Sequence, residues 1–116
     1  MLFAFIEDGT LEVLADQAEA RTRFEPIDVE SGVVAFYDDQ GRPLAPVFPH
    51  RSERRFLGFR IDSDPGPYEL ELSADKTVTP FETTLAEAAA MTPNAWFASL
   101  DAVRAHLAAQ RSGDAR

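Results

Sequence analysis

The strongest constraint on the fold is the β-type sequence between Ser31 and Ser73, which predicts four consecutive short strands. The last of these, Tyr68 to Ser73, alternates apolar residues with acidic or polar ones. The segment from Arg54 to Asp62 alternates in the same way and is predicted to form a single strand. Side chains in a strand point to opposite faces with a period of two, so both segments bury one face and expose the other. Helices or further strands must then cover the apolar side of the sheet.

Turn residues divide this central segment. Gly32 to Tyr37 is rich in β-branched and aromatic residues, and it ends at Asp38 to Gly41, where glycine accepts the positive φ of a hairpin turn. The return segment, Pro43 to Pro49, contains three prolines. Because proline has no N–H to donate, this segment is predicted at an edge of the sheet or as irregular extended chain. The acidic face of the Tyr68 to Ser73 strand is predicted to lie across from Arg60.

The N-terminal part predicts a hairpin and a short helix. Leu2 to Ile6 and Leu11 to Leu14 are apolar runs joined by a turn that contains Asp8 and Gly9, which is a strong hairpin signal. A helix is predicted from Gln17 to about Phe24, with Asp16 as its N-cap and Glu19 at capping-box spacing. Pro26 ends it, because the residue before a proline is disfavoured in the α region.

Two further helices and a connecting segment complete the prediction. Ile27 and Val29 are predicted to point inward from an extended link between the first helix and the central strands. Thr83 or Thr84 is predicted to cap a helix that runs through Met91, and Ser99 is predicted to cap the last helix. The two large aromatic residues between these helices, Trp96 and Phe97, are expected to close one end of the core.

The order β-β-α-β-β-β-β-α-α predicts an α+β fold with a mostly antiparallel sheet of about five to six short strands and helices packed on one face. A chain of 116 residues is long enough for one core without disulfides or metal. We expect a single domain over residues 1–110 and a polar, disordered C-terminal tail over residues 111–116.

Composition excludes several classes of protein. The sequence contains no cysteine, which rules out disulfides, cysteine-ligated zinc and a thiol nucleophile, and suits a reducing cytoplasm. No apolar run approaches the roughly 20 residues that span a bilayer. The apolar start, Met1 to Ile6, meets Glu7 and Asp8 too soon for a signal peptide. A cytoplasmic protein without membrane association is predicted.

The charge is strongly negative and unevenly distributed. The net charge is −9, and residues 1–39 hold ten acidic and two basic residues. Residues 42–60 form a basic island of five arginines and one glutamate, among them Arg51, Arg54, Arg55 and Arg60. A negative body repels nucleic acid and anionic membranes and attracts basic proteins. We therefore predict a basic protein partner and no nucleic-acid binding.

The sequence contains no recognisable catalytic motif. A P-loop, a nucleophile elbow and a glycine-rich dinucleotide turn are all missing. The two histidines, His50 and His106, have no defined carboxylate or nucleophile partner in the sequence. The acidic pairs of the two hairpin turns, Glu7 with Asp8 and Asp38 with Asp39, are expected to diverge into solvent, whereas a glycosidase needs two carboxyls that converge across a cleft. No catalytic residue, metal site or cofactor is predicted, and we expect a protein that is not an enzyme.

One segment resembles known proteins. Residues 24–32 (FEPIDVESG) and 34–44 (VAFYDDQGRPL) resemble small bacterial stand-alone proteins of unassigned function. Their general character, which is short, acidic and α+β, is similar to that of the immunity proteins that neutralise polymorphic toxins. This resemblance implies a bacterial inhibitor protein but no particular set of contact residues.

The leading hypothesis is a non-enzymatic, immunity-type inhibitor that occludes a basic toxin or effector with acidic turns. The predicted partner-binding residues are Asp28, Glu30, Asp38 and Asp39, because a turn and the link before it can enter a cationic cleft.

Two alternatives remain open at this stage. One is a small-ligand-binding protein or enzyme with a pocket near Trp96, to which His50 or Arg60 contributes polar contacts. The other is a homodimeric structural subunit that pairs through the predicted edge at Pro43 to Pro49.

Overall fold

A computed structural model describes residues 1–49, 53–56, 59–62 and 67–114, with side chains described for residues 1–49 and 67–110. The described residues form eight strands and four helices. In chain order these are β1 (Leu2–Ile6), β2 (Thr10–Leu14), α1 (Gln17–Arg23), α2 (Pro26–Ser31), β3 (Val34–Asp38), β4 (Pro43–Val47), β5 (Glu53–Phe56), β6 (Phe59–Asp62), β7 (Glu69–Leu72), α3 (Phe81–Glu87), β8 (Ala90–Met91) and α4 (Leu100–Asp114).

Six strands form one curled sheet in the order β7-β4-β3-β1-β2-β8. Every pairing in it is antiparallel except that of β2 with β8, which is parallel. The remaining two strands, β5 and β6, form a separate antiparallel hairpin. The predicted α+β class with a mostly antiparallel sheet is confirmed.

The sheet is covered by helices on both faces rather than on the one face predicted. Alternate residues of β1 enter two separate cores: Leu2 and Ala4 lie on the side of α1 and α2, whereas Phe3 and Phe5 lie on the side of α3 and α4. The physical reason is that the central strands are nearly continuous apolar runs, which need cover on both sides. The aromatic residue Tyr37 of β3 is likewise buried on the side of α3 and α4.

Helix α1 begins as predicted. The Asp16 side chain accepts a hydrogen bond from the Glu19 N–H at 2.9 Å, and the Glu19 carboxylate accepts one from the Ala15 N–H at 2.8 Å. The first bond satisfies a main-chain donor that the first turn of a helix leaves open, and the second ties the helix to the residue before its N-cap.

The later helices differ from the prediction. Helix α3 begins at Phe81, so Thr83 and Thr84 lie inside it and do not cap it, and it ends at Glu87, while Met91 lies in β8. Helix α4 continues to Asp114, into the segment predicted as a polar tail.

Helix α2 replaces the predicted extended link. Pro26 starts it, where the missing N–H costs nothing, and Gly32 ends it in the left-handed conformation at φ 83°. Val29 is buried as predicted, but Ile27 is 62% exposed. Positions two residues apart lie about 200° apart around a helix, so the two side chains point in nearly opposite directions.

The middle of the chain also departs from the prediction. Residues 54–62 contribute to two strands, β5 and β6, instead of one. The partner of β7 is β4, so the acidic residues of β7 do not pair with the strand that contains Arg60. Strand β4 lies between β3 and β7 rather than at an edge. Its prolines are tolerated because pairing with β3 covers only Pro43 and Leu44, which leaves Pro46 beside β7 alone.

Strand β7 is one edge of the six-stranded sheet, and a side chain occupies part of that edge. The Ser73 N–H donates to the Pro43 carbonyl at 2.9 Å, so the main chain of Leu70 faces away from β4. There the Gln17 amide both donates to the Leu70 carbonyl and accepts from the Leu70 N–H, each at 2.9 Å. A glutamine side chain thereby takes the place that a neighbouring strand would occupy.

Candidate functional site

The structure divides the four predicted partner-binding residues between two places. Asp28 and Glu30 lie on α2, which precedes β3, whereas Asp38 ends β3 and Asp39 lies in the turn that follows. A five-residue strand is about 14 Å long at roughly 3.4 Å per residue. The two pairs therefore lie at opposite ends of β3 and do not form one acidic site.

In the turn pair, the side chain of Asp38 and the main-chain carbonyl of Asp39 make contacts within the protein. The Asp38 carboxylate accepts hydrogen bonds from the N–H groups of Gln40 at 3.0 Å and Arg42 at 2.8 Å, and it forms an ion pair with the Arg42 guanidinium at 2.7 Å. Its side chain is only 13% exposed. The Asp39 carbonyl lies 3.0 Å from Nε2 of His106 on α4. Asp38 is therefore poorly placed to enter the cleft of another protein.

The α2 pair has different surroundings. Asp28 and Glu30 are exposed, as is Glu25 just before the helix, and Ile27 lies among them. At 62% exposure Ile27 is the most exposed large apolar side chain among the described residues. We call Glu25, Ile27, Asp28 and Glu30 the α2 surface. It combines an apolar centre with acidic neighbours, and the sequence prediction had placed Ile27 in the core.

Further acidic residues lie at the same end of the sheet. The turn between β1 and β2 carries Glu7 and Asp8, and the Glu7 N–H donates to the Val33 carbonyl at 2.9 Å, just before β3 begins. A groove of about 290 Å³ opens there, with Glu7 and Glu87 among its lining residues. The described residues that line it include neither lysine nor arginine. Sequence analysis missed this grouping because it depends on the antiparallel pairing of β1 with β3.

A second groove, which we call the Trp96 groove, lies between β2, α1 and the segment after β8. Its volume is about 270 Å³. The lining residues are Glu12, Val13, Leu14, Glu19, Arg23, Thr92, Pro93, Asn94, Ala95 and Trp96. Trp96 is 46% exposed, whereas Phe97 packs on the core beside the rings of Phe3 and His106. The expectation that both aromatics close the core is therefore met by Phe97 alone.

An ion pair lies at the base of the Trp96 groove. Glu12 is 8% exposed and pairs with the guanidinium of Arg23. The hydroxyl of Thr92 lies 3.5 Å from the same carboxylate oxygen. Asn94 shapes the rim, since its side-chain oxygen Oδ1 accepts hydrogen bonds from the N–H groups of Trp96 at 2.9 Å and Phe97 at 2.8 Å. A pocket near Trp96 thus exists among the described residues. The side chains of His50 and Arg60, which were predicted to contribute polar contacts to it, lie outside the described residues, together with those of Arg51, Arg54 and Arg55.

Neither groove contains one of the two described groups with a clearly shifted pKa. Burial raises the pKa of Tyr68 to about 12, an effect that the positive charge of Arg21 partly offsets. Hydrogen bonds from the hydroxyl and N–H of Thr77 lower the pKa of Asp75. Within residues 1–49 and 67–110, no three histidine, cysteine or carboxylate side chains are grouped so that they could hold a metal ion. None of the helices in the described ranges is long and apolar enough to cross a membrane.

Comparison of the chain with protein-family models, with curated proteins and with solved structures found no match. The similarity to immunity proteins stays a prediction from the sequence of residues 24–44. Of the surfaces that the described residues form, the α2 surface and the Trp96 groove are the two from which we infer function.

Proposed function

We propose that this protein is a non-enzymatic binding module that engages a basic protein partner through the α2 surface. The single observation that carries the proposal is the 62% exposure of Ile27 between acidic neighbours on α2. Protein interfaces commonly have an apolar centre surrounded by a polar rim, and the centre contributes most of the affinity. The α2 surface has this arrangement on a small scale.

The apolar centre supplies a favourable free energy of binding. Complete burial of an isoleucine side chain is worth roughly 1.5–3 kcal/mol, so covering the exposed part of Ile27 contributes about 1–2 kcal/mol. That is too little for a stable complex by itself, since a micromolar Kd corresponds to about 8 kcal/mol. A partner must therefore extend beyond Ile27, and the acidic residues around it are the adjoining contacts.

Charge determines which partners are favoured. The net charge of −9 and the carboxylates of Glu7, Asp8, Asp28 and Glu30 at one end of the sheet attract cationic surfaces and repel anionic ones. Such complementarity raises association rates and decreases with salt. A basic toxin or effector is the partner class that best fits these charges. An immunity-type inhibitor acting in the cytoplasm is the form of this function that the resemblance of residues 24–44 favours.

Site-specific photo-crosslinking in cells tests the proposal. A photoreactive amino acid replaces Ile27 in one variant and Leu72 in another; Leu72 is the matched control because it is also apolar and 56% exposed. We expect the Ile27 position, but not the Leu72 position, to crosslink to one basic protein. Double charge reversal on α2, Asp28→Lys with Glu30→Lys, should abolish the crosslink. The matched reversal of two exposed glutamates on β7, Glu69→Lys with Glu71→Lys, should preserve it. Equal crosslinking from both positions, or capture of an acidic protein, would refute the proposed surface.

A further inference from the structure

The Trp96 groove contains an open stretch of strand edge. Pairing of β2 with β8 ends at Leu11, whose carbonyl accepts from the Thr92 N–H at 2.9 Å. Main-chain groups of a strand face alternate sides, so the N–H and C=O of Val13 point to the same side as those of Leu11 but lie beyond the last residue of β8. The Val13 side chain is in the core at 5% exposure. Val13 therefore contributes its main chain to the groove, as an adjacent donor and acceptor.

The side chains around this edge favour a cation. Among the described residues that line the groove, two carboxylates, those of Glu12 and Glu19, accompany one guanidinium, that of Arg23, which leaves one negative charge in excess. The half-exposed ring of Trp96 lies beside them. Tryptophan is the aromatic residue that attracts cations most strongly, at about 0.5–2 kcal/mol. The field of the whole protein, with its net charge of −9, acts in the same direction.

The size of the groove indicates what kind of molecule it accepts. Sites for small molecules usually occupy about 300–1,000 Å³, and this groove has about 270 Å³. One long side chain fits such a space better than a complete metabolite does. An extended peptide that pairs with an open strand edge gains affinity from main-chain hydrogen bonds and specificity from the pockets for alternate side chains.

We propose that the Trp96 groove binds an extended segment of a partner protein, which hydrogen-bonds to the main chain of Val13 and places an arginine or lysine side chain against Trp96. This inference shares with the proposed function only the basic character of the partner, and it concerns a separate surface. Short peptides can therefore test it without a known partner.

The only tryptophan of the chain provides the signal, because its fluorescence reports directly on the groove. The probe is the blocked tripeptide acetyl-Val-Arg-Val-amide, compared with the same peptide carrying glutamate in place of arginine. We expect a saturable change of Trp96 emission with the arginine peptide and at least about tenfold weaker binding of the glutamate peptide, which corresponds to about 1.4 kcal/mol. N-methylation of the arginine amide should also weaken binding, because it removes the donor for the Val13 carbonyl. Equal or tighter binding of the glutamate peptide, or no saturable signal with either, would overturn the inference.

Two protein variants separate this site from the α2 surface. Trp96→Ala, followed by calorimetry, should lose about tenfold or more in affinity for the arginine peptide; an unchanged affinity would contradict the role of Trp96. Ile27→Asn should leave peptide affinity unchanged while it weakens capture of the partner at α2. If Ile27→Asn lowers both by the same factor, the groove is not a separate site and the inference fails. If the peptide binds the groove but α2 captures no basic protein, the proposed function fails alone.

Discussion

The substitution Tyr68→Phe tests how the edge strand β7 is attached to helix α1. Tyr68 is 1% exposed, and its hydroxyl donates to the carbonyl of Ala20 at 2.9 Å and lies 3.1 Å from that of Phe24. The Ala20 carbonyl also accepts from the Phe24 N–H, so it keeps a partner in the variant. The Phe24 carbonyl does not keep its contact with Tyr68. Losing this hydrogen bond to a part-buried acceptor costs about 1–2 kcal/mol, and this is the loss of unfolding free energy that we expect at pH 7.

The same hydroxyl makes stability depend on alkaline pH. Burial raises the pKa of Tyr68 from 10.0 to about 12, so the folded state disfavours the ionised phenol. The stabilisation is fully present below pH 10 and is lost as the pH rises towards 12. Two pKa units correspond to roughly 2–3 kcal/mol. Tyr68→Phe has no phenol to ionise and keeps its stability as the pH rises, whereas the parent loses stability. The unfolding free energies of the two proteins should therefore become equal at a pH between about 11 and 12.

Urea unfolding followed by circular dichroism from pH 7 to 12 measures both effects. The control is Val103→Ala, which creates a cavity on the opposite face of the sheet, where Val103 is fully buried, and costs about 2 kcal/mol. This variant should lose stability above pH 10 in parallel with the parent. The reasoning is refuted if Tyr68→Phe also runs parallel to the parent up to pH 12, since the alkaline loss would then come from other groups.

Two further substitutions test particular contacts. Gly41→Ala should lower the free energy of unfolding in urea by about 2–3 kcal/mol, because the residue has a φ of 80° and an added Cβ would lie 3.0 Å from Cδ1 of Leu107 on α4. Gly32→Ala, with a similar φ and nothing within 4 Å, should cost only about 1 kcal/mol; equal losses would contradict the packing argument. Gln17→Ala should promote concentration-dependent dimers in light scattering, because it frees the outward main chain of Leu70, whereas Gln40→Ala in the exposed turn should stay monomeric. A monomeric Gln17→Ala at high concentration would show that the amide does not protect the edge.

Features fixed by a few neighbouring residues could be predicted from the sequence. The hairpin through Gly9 and the cap formed by Asp16 depend on one turn of chain each, and both occur in the structure. The same holds for the Ser99 cap, whose hydroxyl accepts from the Ala102 N–H at 3.2 Å. Local chemistry decides such features, because any other conformation of the same few residues would lose the hydrogen bonds of the cap or turn.

Features that depend on distant pairing could not be predicted in the same way. The parallel pairing of β2 with β8 joins Leu11 to Met91, and residues that far apart carry no common local signal. Alternation along β7 correctly indicated a strand that buries Leu70, but it wrongly placed Leu72 on the buried face, since Leu72 is 56% exposed. It also does not specify which strand lies beside β7. The Trp96 groove is formed by β2, α1 and the segment after β8, so its position followed from pairings that the sequence left open.

The surface proposed to bind a partner arises where a local pattern had two readings. Ile27, Asp28, Val29 and Glu30 alternate with a period of two, which fits an extended segment with both apolar residues buried. Pro26 and the left-handed Gly32 instead delimit one short helix, in which only Val29 can reach the core. An extended link would have buried Ile27, whereas the helix exposes it beside Asp28 and Glu30. The helical conformation thus leaves the apolar surface of Ile27 in water, which does not stabilise the protein on its own. A partner that covers Ile27 would gain the free energy of burying that surface.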